Sequence, residues 1–193
     1  MGAGGTTRQK MLVGGVELLR ERGPAGVTID AVLARTRTPR GSVYHHFPGG
    51  RQQIVGEALE MSGSAISAII QESAQDGPAS AFAHLIAFWK KLLRENDFEA
   101  GCPVVAVAIA GSAQDDHRDR AREIIGGWLG TIADSLVRTG ATPARARTLA
   151  TLVVSSVEGA VVLCRTTRST APLDDVAGEL RHLFADLDRR PAE

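Results

Sequence analysis

Apolar positions along this chain recur at intervals of three and four rather than two, and its β-branched residues are scattered among Ala, Leu, Glu and Arg. That period belongs to one face of a helix, so an all-α fold is predicted. Helix breakers then partition the chain. Gly23-Pro24-Ala25-Gly26 ends a first helix of about residues 7–22, whose Leu12, Val16 and Leu19 share a stripe. Thr28 can cap a second, short helix that turns Ile29, Val32 and Leu33 inward and sets Asp30 in its first turn, where the helix dipole favours an acid. Thr36-Arg37 is a tight turn. Thr38 is expected to cap a third helix with Pro39 at its first position, ending near His45 or His46 before Phe47-Pro48-Gly49-Gly50. Six more helices are predicted over about 51–75, 79–95, 103–112, 117–139, 143–165 and 172–188. The chain therefore reads as nine helices in two domains, a three-helix head over 1–50 and a six-helix body over 51–193.

Charge supports that division. Lys and Arg number 22 against 22 Asp and Glu, but the first 52 residues hold eight bases against three acids, leaving the rest acidic. A basic head on an acidic body is the asymmetry of a polyanion-binding module joined to a part with another task. Met1 to Lys10 lacks the apolar stretch of a signal peptide, and the longest apolar run, Val104 to Ala110, falls well short of the roughly 20 residues that cross a bilayer. A cytoplasmic protein with no membrane partner is expected. Cys102 and Cys164 lack CxxC spacing and a His cluster, so they read as ordinary buried thiols, with no disulfide, metal or cofactor.

Two short helices joined by a three- or four-residue turn over Thr28 to Phe47 have the layout of a helix-turn-helix, whose second helix enters the major groove. Arg40 and Ser42 stand at the start of that second helix, just behind Pro39, where side chains reach base edges, and an Arg there can take both acceptors of guanine. Gly41 permits close approach of the backbone. Tyr44, His45 and His46 offer donors for phosphate oxygens, while Val43 and Phe47 face inward. Thr28, Thr38 and the backbone N–H groups of Gly49, Gly50 and Arg51 add further phosphate positions.

The run Val27-Thr28-Ile29-Asp30 through Thr38-Pro39-Arg40 and the string GSVYHHF (Gly41 to Phe47) resembles the N-terminal domain of the TetR family of bacterial repressors. Motif-level similarity covers about residues 8–60, and helix number supports the rest. The resemblance implies phosphate contacts by Thr28, Thr38, Tyr44 and His46, and base contacts by Arg40 and Ser42. The family usually sets a Lys in the first turn of its fourth helix; here that position reads Gly50, beside Arg51. Either Arg51 takes over that contact or one anchor is missing.

For the body, the resemblance places Phe88, Trp89, Cys102, Val105, Ile109, Trp128 and Ile132 on adjoining segments, with Ala106, Ala108 and Ala110 leaving room for a mostly apolar effector. Glu99-Ala100-Gly101-Cys102-Pro103-Val104-Val105 resembles the branch typified by lincomycin-resistance repressors, which implies drug-like or flavonoid-like effectors. The helix over 143–165 is apolar nearly all round and must be covered on every side. Pairing it and the last helix with a second chain would form a two-fold four-helix bundle, with Val153, Val157, Val161, Leu180, Leu183 and Leu187 as seam positions. The same residues could instead fill the core of one chain.

Enzyme chemistry finds little support: no GxSxG, HExxH or phosphate loop occurs. Glu179 and His182 have a carboxylate-bridged metal spacing without the second copy such a site needs, and Asp115, Asp116 and His117 fit a helix start. The reading is a homodimeric repressor that binds a palindromic operator and is released by a small effector. A constitutive DNA-binding regulator and a helical-bundle enzyme are the rivals.

Overall fold

Three threonines begin three of the helices. Thr6 Oγ1 accepts from Gln9 N at 3.3 Å, Thr28 Oγ1 from Ala31 N at 3.1 Å and Thr142 Oγ1 from Arg145 N at 3.3 Å, each satisfying a donor that the first turn leaves unpaired. The computed structural model describes residues 6–73, 78–110 and 116–187. Among these, nine helices follow in order: α1 (Thr7–Gly26), α2 (Ile29–Thr36), α3 (Gly41–His46), α4 (Gly50–Ser73), α5 (Pro78–Glu95), α6 (Pro103–Ile109), α7 (Asp116–Arg138), α8 (Pro143–Thr167) and α9 (Ala171–Leu187). Inside α1, Gly23 leaves helical geometry at φ 66° and ψ −175°, so the break read at Gly23-Pro24 is a kink before one last turn.

The described contacts gather into two units, one of residues up to Ser64 with Cys102–Arg122, the other of Ala65–Gly101 with residues from Glu123 on. In the first, α1 packs on α2, α3 and α6. Val27, Val32, Val43, Phe47 and Ile54 are fully buried there with Met11 and Leu19. Gly14 and Gly15 are required by close approach: a Cβ on Gly14 would lie 2.5 Å from the Thr36 methyl, and one on Gly15 2.8 Å from an Ile54 methyl. Arg120 on α7 pairs with Glu60 on α4, and the His117 ring lies over Gly56. That guanidinium holds the Glu60 carboxyl below the usual glutamate range.

In the second unit α9 packs on α8 and α5, and α5 also meets α8. Trp89, Leu93, Leu136, Leu149 and Leu173 are almost wholly buried, and Phe82 meets Phe184 edge-on at 5.8 Å. The Trp128 indole N–H donates to Ser67 Oγ at 2.9 Å. At the end of α8 Arg168 is left-handed at φ 53° and pairs with Asp97 at 2.5 Å. Both cysteines are buried and neither is in a disulfide, Cys102 in the first unit and Cys164 in the second.

The expected seam is largely core. Val153, Val157, Val161 and Leu180 are only 1–4% exposed within the single chain, and Leu183 is half-buried; the Leu187 side chain lies outside the described residues. A helix apolar all round does not announce which face turns inward. The apolar residues that α8 leaves bare are their neighbours Leu152, Val162 and Leu163, at 44, 59 and 54%. By length and composition alone α8 is apolar enough to cross a membrane, although Thr, Ser, Gly and Glu158 interrupt its apolar runs.

Candidate nucleic-acid interface

The short third helix gives the interface its shape. Val43 and Phe47, four apart, are wholly buried and press one side of α3 onto the head, which leaves Tyr44 60% exposed and His45 outward. His46 is half-buried, and the two imidazole rings meet edge-on at 5.0 Å. Gly41 is exposed, and a Cβ there would meet nothing within 4 Å, so its open surface is available to a close neighbour.

The start of α3 differs from expectation. Thr38 does not cap it: its hydroxyl lies 2.7 Å from that of Thr36, whose own Oγ1 donates to Val32 O. Pro39 and Arg40 instead form a tight turn, with Ser42 N and Val43 N donating to Pro39 O and Arg40 O, and the helix begins two residues later than predicted. The Ser42 hydroxyl also donates to Pro39 O. Arg37 supplies the left-handed residue of the turn at φ 53° and is exposed, a position read from sequence only as a turn.

Arg40 is exposed beside exposed Pro39, and its guanidinium reaches back to Asp30 in the first turn of α2. Thr28 is exposed as well, with its hydroxyl occupied as a cap. Arg51 turns away from the surface: Nε donates to Val27 O at 2.9 Å and Nη2 to Pro24 O at 2.6 Å, tying the first turn of α4 to the end of α1. Gly50, beside it, has φ 58°, which glycine adopts without strain, and the Tyr44 ring edge lies 3.5 Å from where its Cβ would be.

Other clamps escaped the sequence reading because their partners are far apart in the chain. Arg8 on α1 donates from Nη2 to both carboxylate oxygens of Glu57 on α4 at 2.6 Å, and its guanidinium carbon sits 4.9 Å from the centre of the Phe47 ring. Arg35 on α2 binds Glu21 and Glu17 of α1, and its hydrogen bonds hold the Glu21 carboxyl below the usual glutamate range. Several bases that made the head look positive are thus employed in holding it together.

In the body, Trp89 and Trp128 are buried, while Phe88 and Ile132 are half-buried, all four in the second unit. Phe88 meets Trp89 edge-on at 5.3 Å. Cys102 and Val105 belong to the first unit, buried and half-buried. Ile109 is 77% exposed at the end of its short helix, so it does not line an enclosed cavity in this chain. Among the described residues, no group of three or more His, Cys, Asp or Glu gathers to hold a metal ion; Asp115 lies outside them.

A buried Val43 and Phe47 beneath an outward Tyr44 and Arg40, on a short helix following a tight turn, define a helix-turn-helix DNA-binding protein. Comparison with known proteins carries this to a family. Residues 11–58 match the family described as bacterial regulatory proteins, tetR family, and residues 78–179 match the LmrA/YxaF-like C-terminal domain of transcriptional regulators. The chain is 39% identical over 190 residues to the HTH-type transcriptional regulator Rv0196 of Mycobacterium tuberculosis, covering 95% of this chain and 97% of that one. It is 29% identical to LmrA of Bacillus subtilis over 88% of this chain and 92% of that one. Among solved structures, a TetR regulator from Legionella pneumophila shares the fold at a TM-score of 0.81 with 15% identity, covering 96% and 98% of the two chains. The protein belongs to the TetR family of transcriptional regulators, with an LmrA/YxaF-like C-terminal domain.

Proposed function

We propose that this protein is a cytoplasmic repressor that binds a palindromic operator as a homodimer and is released by a small, mostly apolar effector. Residues 1–50 would grip DNA, and 51–193 would take the effector and join the two chains. The observation that carries the operator reading is the outward face of α3: Tyr44 is 60% exposed directly beside a Val43 with no exposure at all. Arg40 and Ser42 would read bases, and Thr28, Thr38, Tyr44, His45 and His46 would hold phosphates beside Pro39 and Gly41. Arg51 would orient the first turn of α4 through its two carbonyl contacts rather than supply the missing lysine.

Two recognition helices roughly 34–36 Å apart would read successive major grooves. The bare Leu152, Val162 and Leu163 of α8 support pairing of that helix with a second copy. Repression is favoured by likeness to DhaR of a Mycobacterium species, named as a transcriptional repressor and 22% identical over 86% of both chains. An effector that binds better to a conformer with differently spaced heads would lower operator affinity by that difference, roughly 5- to 150-fold for a coupling of about 1–3 kcal/mol. Phe88, Trp89, Trp128 and Ile132 are the effector-facing positions proposed in the second unit.

A gel-shift assay with the DNA upstream of the protein's own gene and its divergent neighbour tests the reading. Retardation at low ionic strength that survives excess random DNA is the expected result. No retardation at all would overturn it.

A further inference from the structure

Between α5 and α9, within the second unit, lies a groove of about 590 Å³, a volume in the range of small-molecule sites. Its floor is apolar: Phe82 and Ile86 are 4% and 6% exposed, and Ala83, Ala87 and Ala177 complete it with nothing larger than a methyl group. Among the described residues its lining carries Lys90, Lys91, Arg94 and Arg181 against one acid, Glu95, with Asp174 beside Lys90. Two of these cations are already engaged, Lys90 with Asp174 on α9 and Lys91 with Glu95 one turn along α5. Arg94 and Arg181 differ. Arg94 donates to the neutral Thr170 hydroxyl at 3.1 Å, and Arg181 Nε to the Ala177 carbonyl of its own helix, so among the described residues neither guanidinium meets a carboxylate.

The bonds from Lys90 to Asp174 and from Arg94 to Thr170 tether α5 to residues at the start of α9, which holds the groove in shape without a ligand. A guanidinium that meets no carboxylate among the described residues, beside an apolar floor, complements a molecule with one planar anionic end and an apolar remainder. We propose that this groove binds a small amphipathic carboxylate, with the carboxylate held by Arg181 and the hydrocarbon laid along Phe82, Ile86 and the alanines. The site lies on α5 and α9, does not count Trp89 or Trp128 among its lining residues, and stands whether or not the operator reading does.

Titration calorimetry of the full chain with octanoate, octylamine and octanol tests it. Octanoate is expected to bind, octylamine not to bind, and octanol to bind at least roughly tenfold more weakly than octanoate. Replacing the guanidinium, Arg181→Gln, should weaken octanoate by about tenfold or more while leaving octanol unchanged. Ala87→Trp, which fills the groove from an exposed position, should abolish octanoate binding with Arg181 intact. The proposal fails if octanoate gives no heat, if octanol binds as tightly, or if octanoate affinity survives either Arg181→Gln or Ala87→Trp.

Discussion

Arg40 Nη1 donates to Asp30 Oδ1 at 2.8 Å, linking the residue just before the recognition helix to the first turn of the helix that precedes it. Both side chains are more than 70% exposed, so the pair is worth at most about 1 kcal/mol and yields readily to a stronger partner. On operator DNA, Arg40→Ala should relax preference at one base position at a cost of roughly 1–3 kcal/mol and change random-DNA binding much less. Asp30→Asn, which frees Arg40, should tighten operator binding by no more than about fivefold. Fluorescence anisotropy on operator and scrambled duplexes measures both, and equal losses on the two duplexes for Arg40→Ala would remove its base-reading role.

Tyr44 should act differently. Its exposed phenol is placed for a phosphate, so Tyr44→Phe should weaken operator and scrambled DNA alike by about 0.5–1.5 kcal/mol. A loss confined to the operator would assign it to base recognition instead.

For Arg51 the geometry predicts a stability effect. Removing its bonds to Pro24 O and Val27 O by Arg51→Met should destabilise the head by about 1–3 kcal/mol. Thermal unfolding followed by circular dichroism reads this directly. An unchanged melting temperature with weaker DNA binding would return Arg51 to the phosphate contact.

Two substitutions on α8 separate core from surface. Val157→Asp buries a charge at a site 2% exposed and should cost several kcal/mol, leaving little folded protein. Leu163→Asp, at 54% exposure, should keep the helical circular dichroism spectrum and convert a dimer to monomers in sedimentation. A Leu163→Asp protein that remains dimeric would place the seam elsewhere.

Glu21 links stability to pH. Its carboxyl is held below the ordinary glutamate range by hydrogen bonds from Arg35, so its contribution is fully present above the unfolded-state value near pH 4.3 and is lost as pH falls through the depressed folded value. At neutral pH, Glu21→Gln should lower stability by about 1 kcal/mol. Urea midpoints of the two proteins should begin to approach each other below about pH 4.3 and converge only once the pH lies below the depressed folded value. A gap that stays constant down to pH 3 would rule out the ion pair as its source.

Local chemistry settled which segments are helical. Threonine caps, the Gly23-Pro24 break and the three- and four-residue spacing are written within a turn or two of the residues they govern, and so is the string from Gly41 to Phe47 that exposes the family. Where the signal depended on competition between nearby partners, the reading slipped: Thr38 had a hydroxyl neighbour in Thr36 and so did not cap α3. Faces of α8 could not be told apart because apolar residues surround it, and only packing showed Val157 inside and Leu163 outside.

The sequence by itself determined the order of the helices, the position of the recognition helix and the basic bias of the head, because each follows from neighbours along the chain. Tertiary structure alone decided that Arg51 binds Pro24 and Val27, that Arg8 binds Glu57, and that Arg94 and Arg181 border an apolar groove. A charge's partner is chosen by distance in space, and residues 27, 49 or 87 positions apart carry no local mark of becoming neighbours.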